Sequence, residues 1–66
     1  EITKNQIRSA GVKYIDLAAA LGISSPMVSQ IEANKPLPDK YQYALRFGSK
    51  EAQAIRRKTI KWIKSQ

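Results

Sequence analysis

The chain has 66 residues, a length that suits a single small domain. It contains no cysteine and no histidine, which excludes disulfides, thiol nucleophiles and the usual zinc sites. Twelve lysine and arginine residues against five acidic residues give a net charge of +7, and a surface of this charge most often binds nucleic acid or an anionic membrane.

The sequence also argues against a membrane span and against catalysis. No apolar run approaches the roughly 18 residues that a transmembrane helix needs, and no signal peptide opens the chain, so we expect a soluble, cytoplasmic protein. The five carboxylates are scattered, with no histidine, cysteine or second acid at useful spacing, and the serines have no base. We therefore expect no enzyme, no metal site and no cofactor. A simpler explanation of the charge is that it keeps a small domain in solution.

Residues 2–10 predict a first, short helix. Thr3 is a candidate N-cap, and Gly11 ends the helix. Its thin apolar side consists of Ile7 and Ala10. Lys4 and Arg8 share one face, where they contact either a DNA backbone or only solvent.

Residues 14–33 predict two short helices that meet at one glycine. The apolar positions of the first of them are Ile15, Leu17, Ala18 and Leu21. Gly22 then ends that helix, because glycine adopts the left-handed conformation of a C-cap at no steric cost. Ser24 or Ser25 caps the second helix, and Pro26 fits its first turn, where a missing N–H loses no hydrogen bond.

The second helix of this pair, which we predict over residues 25–33, has two distinct sides. Ile23 turns inward before it, and Val28 and Ile31 face back toward the preceding helix. The side chains that point away from the core are Ser25, Met27, Ser29 and Gln30. This outer face is therefore neutral and largely polar.

The run GVKYIDLAAALGISSPMVSQIEANKPLP resembles the helix-turn-helix of the Cro and phage-repressor type, in which LAxxxGIS precedes VSxIE, a basic loop and a proline. The resemblance covers residues 11–47 and implies an all-α, five-helix, lambda-repressor-like domain. It gives structural roles to Ala18 at the helix crossing, Gly22 in the turn, and Ile23, Val28 and Ile31 in the angle between the helices. The chain departs from the pattern at Lys13 and Tyr14, where the family commonly has Thr-Gln.

Residues 34–39 contain two prolines and predict a stiff loop after the motif. A fourth helix follows, with Asp39 as its cap and Gly48 at its end. Its apolar contacts are predicted from Tyr43, Ala44, Leu45 and Phe47.

A last helix is predicted over residues 49–64, and it is basic and amphipathic. Its apolar side comprises Ala52, Ile55, Thr59, Ile60, Trp62 and Ile63, and its basic side comprises Lys50, Arg57, Lys58, Lys61 and Lys64. This apolar side packs on its own domain, pairs with a twofold-related copy, or lies on a membrane surface. Trp62 favours burial of some kind, since an exposed aromatic ring forfeits most of its stabilising value.

The resemblance implies sequence-specific binding of double-stranded DNA. The predicted base-reading residues are Ser25, Met27, Ser29 and Gln30, whose amide, hydroxyl and thioether groups suit base edges and the thymine methyl. The predicted backbone contacts are Lys13, Tyr14, Asn34, Lys35 and Lys40, with further phosphate contacts from Arg46 and the last helix. Specificity and affinity are thus expected from different segments.

We therefore expect a Cro-like repressor that occupies a pseudo-palindromic operator in a prokaryotic or phage-infected cell. A weak homodimer, formed in part only on DNA, is the expected assembly. The length favours a Cro-like protein over a full repressor, and it is also compatible with the amino-terminal part of a longer protein. The alternative is an antitoxin-like or adaptor module whose last helix binds a protein partner, with DNA binding secondary.

Overall fold

The computed structural model describes every residue from Glu1 to Gln66 and contains five α-helices and no strand. The helices are α1 (Lys4–Ser9), α2 (Tyr14–Leu21), α3 (Ser25–Gln30), α4 (Asp39–Phe47) and α5 (Lys50–Lys64). This confirms the predicted all-α, five-helix domain. None of these helices has both the length and the apolar character needed to cross a membrane.

The core is organised on α5, against which α1, α2 and α4 all pack. The largest fully buried side chains are Ile7, Leu17, Val28, Leu37, Leu45 and Thr59. The Thr59 hydroxyl donates a hydrogen bond of 2.8 Å to the Ile55 carbonyl, so its burial leaves no unsatisfied polar group. Of the three alternatives for α5, residues 52–60 therefore adopt packing on their own domain, whereas Trp62 and Ile63 near the end of the helix stay partly exposed.

The helix ends follow local sequence signals. Thr3 caps α1 in a capping box, in which the Gln6 N–H donates to Thr3 Oγ1 at 3.2 Å and the Thr3 N–H donates to Gln6 Oε1 at 2.9 Å. Gly22 ends α2 with φ of +73°, in the left-handed region. Ser24 caps α3 and Ser49 caps α5 through their hydroxyl oxygens.

Three predicted boundaries are wrong. The first helix is shorter than residues 2–10, and α3 ends at Gln30 instead of residue 33, because Ile31 adopts an extended conformation. The chain then runs back against α1, where the Asn5 N–H donates to the Ala33 carbonyl at 3.1 Å. At α4, Pro38 occupies the N-cap position, and Asp39 is the first helical residue without a capping hydrogen bond.

Three apolar side chains predicted to pack inside are exposed. Tyr43 and Phe47 are 66% and 61% exposed, and Ile15 of α2 is 65% exposed. The face of α4 that meets the core instead carries Tyr41 and Leu45, which lie one turn apart. Residues two positions further along the helix, 43 and 47, consequently point away from the core.

Candidate nucleic-acid interface

The α2–α3 pair combines a small buried residue on α2 with a fully buried residue on α3. Ala18 is buried, Val28 of α3 is fully buried, and the two helices pack directly against each other. In the connection, residues 22–24, the Ile23 N–H donates to the Ala18 carbonyl at 3.0 Å. Ile23 and Ile31 are half-buried and pack against the core at either end of α3. These contacts orient α3 relative to the rest of the domain.

The outward face of α3 carries the four residues that the sequence assigns to base reading. Ser25, Met27, Ser29 and Gln30 are all exposed, while Val28 between them is buried. The Met27 N–H is capped by the hydroxyl of Ser24, at 3.4 Å, so the Ser25 hydroxyl has no capping role. The face therefore offers two hydroxyls, one amide and one thioether to a ligand.

A groove of about 430 Å³ lies beside this face, between α3 and the start of α4. Its lining includes two of the predicted base-reading residues, Met27 and Gln30, and two of the predicted backbone contacts, Lys35 and Lys40. The structure thus brings these four residues together on one concave surface. Sequence periodicity contains no signal for this grouping, because it depends on the path of the proline-containing loop.

Other predicted backbone contacts lie elsewhere. Lys13 and Tyr14 are at the start of α2 and line a separate hollow of about 420 Å³ that also involves Arg8. The guanidinium of Arg8 lies 5.1 Å from the centre of the Tyr14 ring, within the range of a cation–π contact. Asn34 is exposed, and its side-chain carbonyl accepts a hydrogen bond from the amide of Asn5.

Lys4 is the residue near α3 that sequence reasoning missed. The sequence predicts a contact of Lys4 with either a DNA backbone or solvent, yet Lys4 is only 5% exposed. Its Nζ donates to the Val28 carbonyl at 3.1 Å and the Ser29 carbonyl at 3.4 Å. The last carbonyls of a helix have no partner within the helix and carry negative partial charge, so a nearby ammonium stabilises them. The signal was its position three residues before Ile7, on the apolar side of α1.

The positive charge of the surface is almost uncompensated. Lys35 and Glu32 form the single ion pair of the molecule, with 3.2 Å between Nζ and Oε2, and both side chains are largely exposed. Such an exposed pair is weak and is screened by salt. The other cations are paired with no carboxylate, and the surface therefore attracts anionic ligands.

Comparison with known proteins identifies no family for this chain. No family model, no curated protein and no solved structure matches it. Its function is therefore inferred from the α2–α3 pair, the exposed face of α3 and the positive surface around it.

Proposed function

We propose that the protein is a sequence-specific, DNA-binding transcriptional regulator, a Cro-like repressor with α2 and α3 as its helix-turn-helix and α3 as its recognition helix. The observation that carries this proposal is an exposed, uncharged polar helix face bordered by lysines on a molecule with a net charge of +7. The protein acts by occupying operator DNA and excluding polymerase, without catalysis or a cofactor, in the cytoplasm of a prokaryotic or phage-infected cell.

The α3 face supports direct reading of base edges in the major groove. The Gln30 amide can donate and accept at once, which suits adenine, and the hydroxyls of Ser25 and Ser29 suit either kind of base edge. Met27 is 45% exposed and offers an apolar contact to a thymine methyl group. Each good bidentate contact contributes about 1–3 kcal/mol of discrimination against the wrong base.

The lysines beside α3 support binding of the DNA backbone. Lys35 and Lys40 line the same groove as Gln30, so a duplex that admits α3 into its major groove brings phosphates toward both ammonium groups. Lys13, Tyr14 and Asn34 are further backbone contacts in this proposal. Phosphate contacts supply affinity and register but no sequence information.

Two copies of the chain are expected to read a pseudo-palindromic operator, one half-site each. A palindrome mirrors the twofold symmetry of two bound proteins, and its half-sites are spaced near one helical turn, about 34–36 Å. The free protein is expected to be at most a weak dimer, with pairing completed on the DNA.

Selection of bound duplexes from a random pool, at about 150 mM salt to weaken non-specific binding, tests this function. We expect enrichment of a twofold-symmetric consensus. The matched control is a Gln30→Ala, Ser29→Ala variant, which retains every cation and should enrich a degenerate consensus or none. A pool without enrichment for the unmodified chain would overturn the proposal.

A further inference from the structure

A second concave surface lies between α4 and α5, and it shares no residue with the groove beside α3. This cleft, of about 490 Å³, is lined from α4 by Tyr43, Arg46 and Phe47 and from α5 by Arg56, Ile60 and Ile63. We call it the α4–α5 cleft. Gln42 of α4 and the first two residues of the chain complete its lining.

The apolar part of the α4–α5 cleft is an exposed aromatic pair. Tyr43 and Phe47 are two of the four large hydrophobic side chains that the molecule exposes, and neither belongs to the buried hydrophobic core. Their ring centres are 4.9 Å apart and the rings are tilted by 49°. Rigid aromatic side chains grouped in a cleft are typical of the anchor points of protein interfaces.

The charged part of the cleft is positive. The guanidinium carbon of Arg46 lies 5.7 Å from the centre of the Phe47 ring, and Arg56 faces the cleft from α5. Neither arginine is paired with a carboxylate, and Glu1 is the single acidic residue in the lining. Beyond Arg56, the α5 surface continues with Arg57, Lys61 and Lys64.

These charges discriminate between possible occupants. A second copy bound through the same cleft about a twofold axis would bring Arg46 and Arg56 of both copies into one interface, which is unfavourable. DNA phosphates would satisfy the arginines but leave Tyr43 and Phe47 without an apolar partner. A protein segment that carries both acidic and large apolar side chains matches both parts of the cleft.

We propose that the α4–α5 cleft binds an acidic segment of a partner protein. Its large apolar side chains pack on Tyr43, Phe47 and Ile60, and its carboxylates pair with Arg46 and Arg56. A regulator with this cleft holds a second protein while α3 holds DNA. The proposal does not depend on DNA binding, because the two surfaces have no residue in common.

The probe for this cleft is a displayed library of random 12-residue peptides, selected on the whole chain at about 150 mM salt. We expect the enriched peptides to combine aspartate or glutamate with Phe, Leu or Trp. Binding of the synthetic peptides is then measured by fluorescence anisotropy on a set of variants.

Substitutions in the cleft separate specific docking from simple charge attraction. Tyr43→Ala and Phe47→Ala leave the net charge unchanged, and each should weaken peptide binding about tenfold or more, as expected of interface anchors. Arg56→Gln should weaken it similarly. The matched controls are Ile15→Ala, an exposed apolar residue outside the cleft, and Lys13→Gln, an exposed cation outside it; both should leave peptide affinity unchanged.

Four results would overturn the proposal. The first is a library without enrichment, and the second is that acidic peptides bind with an affinity that Tyr43→Ala and Phe47→Ala do not change. The third is that the chain self-associates and Phe47→Ala abolishes this association. The fourth is that Phe47→Ala abolishes operator binding. The third would identify a second copy as the occupant, and the fourth would make the cleft part of the DNA interface. Failure of the DNA-binding function is recognised separately, because peptide docking would persist in a chain that enriches no duplex.

Discussion

Lys4 links α1 to the end of the proposed recognition helix through a buried ammonium. Its Nζ bonds the Val28 and Ser29 carbonyls and lies 5.1 Å from the centre of the Tyr14 ring. Burial of an ammonium without partners costs several kcal/mol of folding free energy, and these contacts offset that cost. The backbone that carries Ser29 and Gln30 is thereby fixed by a residue from another helix.

Lys4→Met is predicted to destabilise the fold by about 1–3 kcal/mol, because it retains the apolar stem but removes the hydrogen bonds that the ammonium donates to the Val28 and Ser29 carbonyls. Urea unfolding followed by circular dichroism measures the change. The control is Lys13→Met, where an exposed side chain should change stability by no more than about 0.5 kcal/mol. Equal losses in both variants would show that the ammonium contributes no specific stabilisation.

Gln30→Ala and Lys35→Ala are predicted to have different effects on DNA binding. Gln30→Ala removes a proposed base contact and should reduce discrimination between consensus and random duplex by about tenfold, with random-duplex affinity unchanged. Lys35→Ala removes a proposed phosphate contact, so it should weaken both duplexes alike and flatten the salt dependence by about one unit of slope for each bound copy. Anisotropy titrations with the two duplexes give both numbers. Equal losses on random DNA would contradict this division of roles.

Gly22 and Gly48 end α2 and α4, and a side chain at the two positions would be unfavourable for different reasons. A Cβ on Gly22 would meet no atom within 4 Å, so Gly22→Ala carries only the left-handed backbone penalty of about 1–2 kcal/mol. A Cβ on Gly48 would overlap the Ala44 carbonyl oxygen, which already accepts the Gly48 N–H at 2.7 Å. Relieving that overlap requires α4 to move relative to α5.

Gly48→Ala is therefore predicted to destabilise the domain more than Gly22→Ala does. The expected loss for Gly48→Ala is about 3 kcal/mol, the upper end of the usual cost of overpacking. Thermal unfolding of the two variants side by side checks the order. Gly22→Ala should leave the α4–α5 packing intact, which makes it the matched control for a glycine at a helix end. If Gly22→Ala destabilises the domain more than Gly48→Ala does, the connection between α4 and α5 accommodates a Cβ at residue 48 without a loss of stability.

Local signals determine most helices of this chain, and tertiary contacts determine the features that sequence reasoning missed. The turn at Gly22 and the caps at Thr3 and Ser49 depend on neighbouring residues, and they were predictable. In α4, Tyr41 and Leu45 are four residues apart, and so are Tyr43 and Phe47. Helical periodicity therefore does not determine which of the two pairs faces the core. Contact with α5 makes that choice.

The candidate site likewise has features that local sequence predicts and features that depend on non-local contacts. The outward face of α3 follows from the burial of Val28 and was predictable from spacing alone. The end of α3 at Gln30 and the groove with Lys35 and Lys40 were not, because they depend on α1 and on a loop tied to it by the bond from Asn5 to Ala33. Non-local contacts therefore place the lysines that the proposed function needs.

For the whole molecule, the salt dependence of operator binding reports how many copies are bound. Each neutralised phosphate contributes a slope of about −0.9 to log affinity against log salt. Lys13, Lys35 and Lys40 supply three cationic contacts per copy in the proposed complex, so one copy should give a slope of about −3 and two copies about −5.

We predict the slope of about −5 on the consensus duplex and about −3 on a duplex with one half-site. Anisotropy titrations between about 50 and 200 mM salt measure both, and sedimentation of the complexes counts the bound chains independently. The control variant is Lys61→Ala, which tests the phosphate contacts that the sequence assigns to the last helix. Because Lys61 lies away from the α3 groove, we expect it to leave both slopes unchanged. A common slope near zero would contradict backbone binding by these lysines, and a common slope of about −3 would show that a single copy reads the operator.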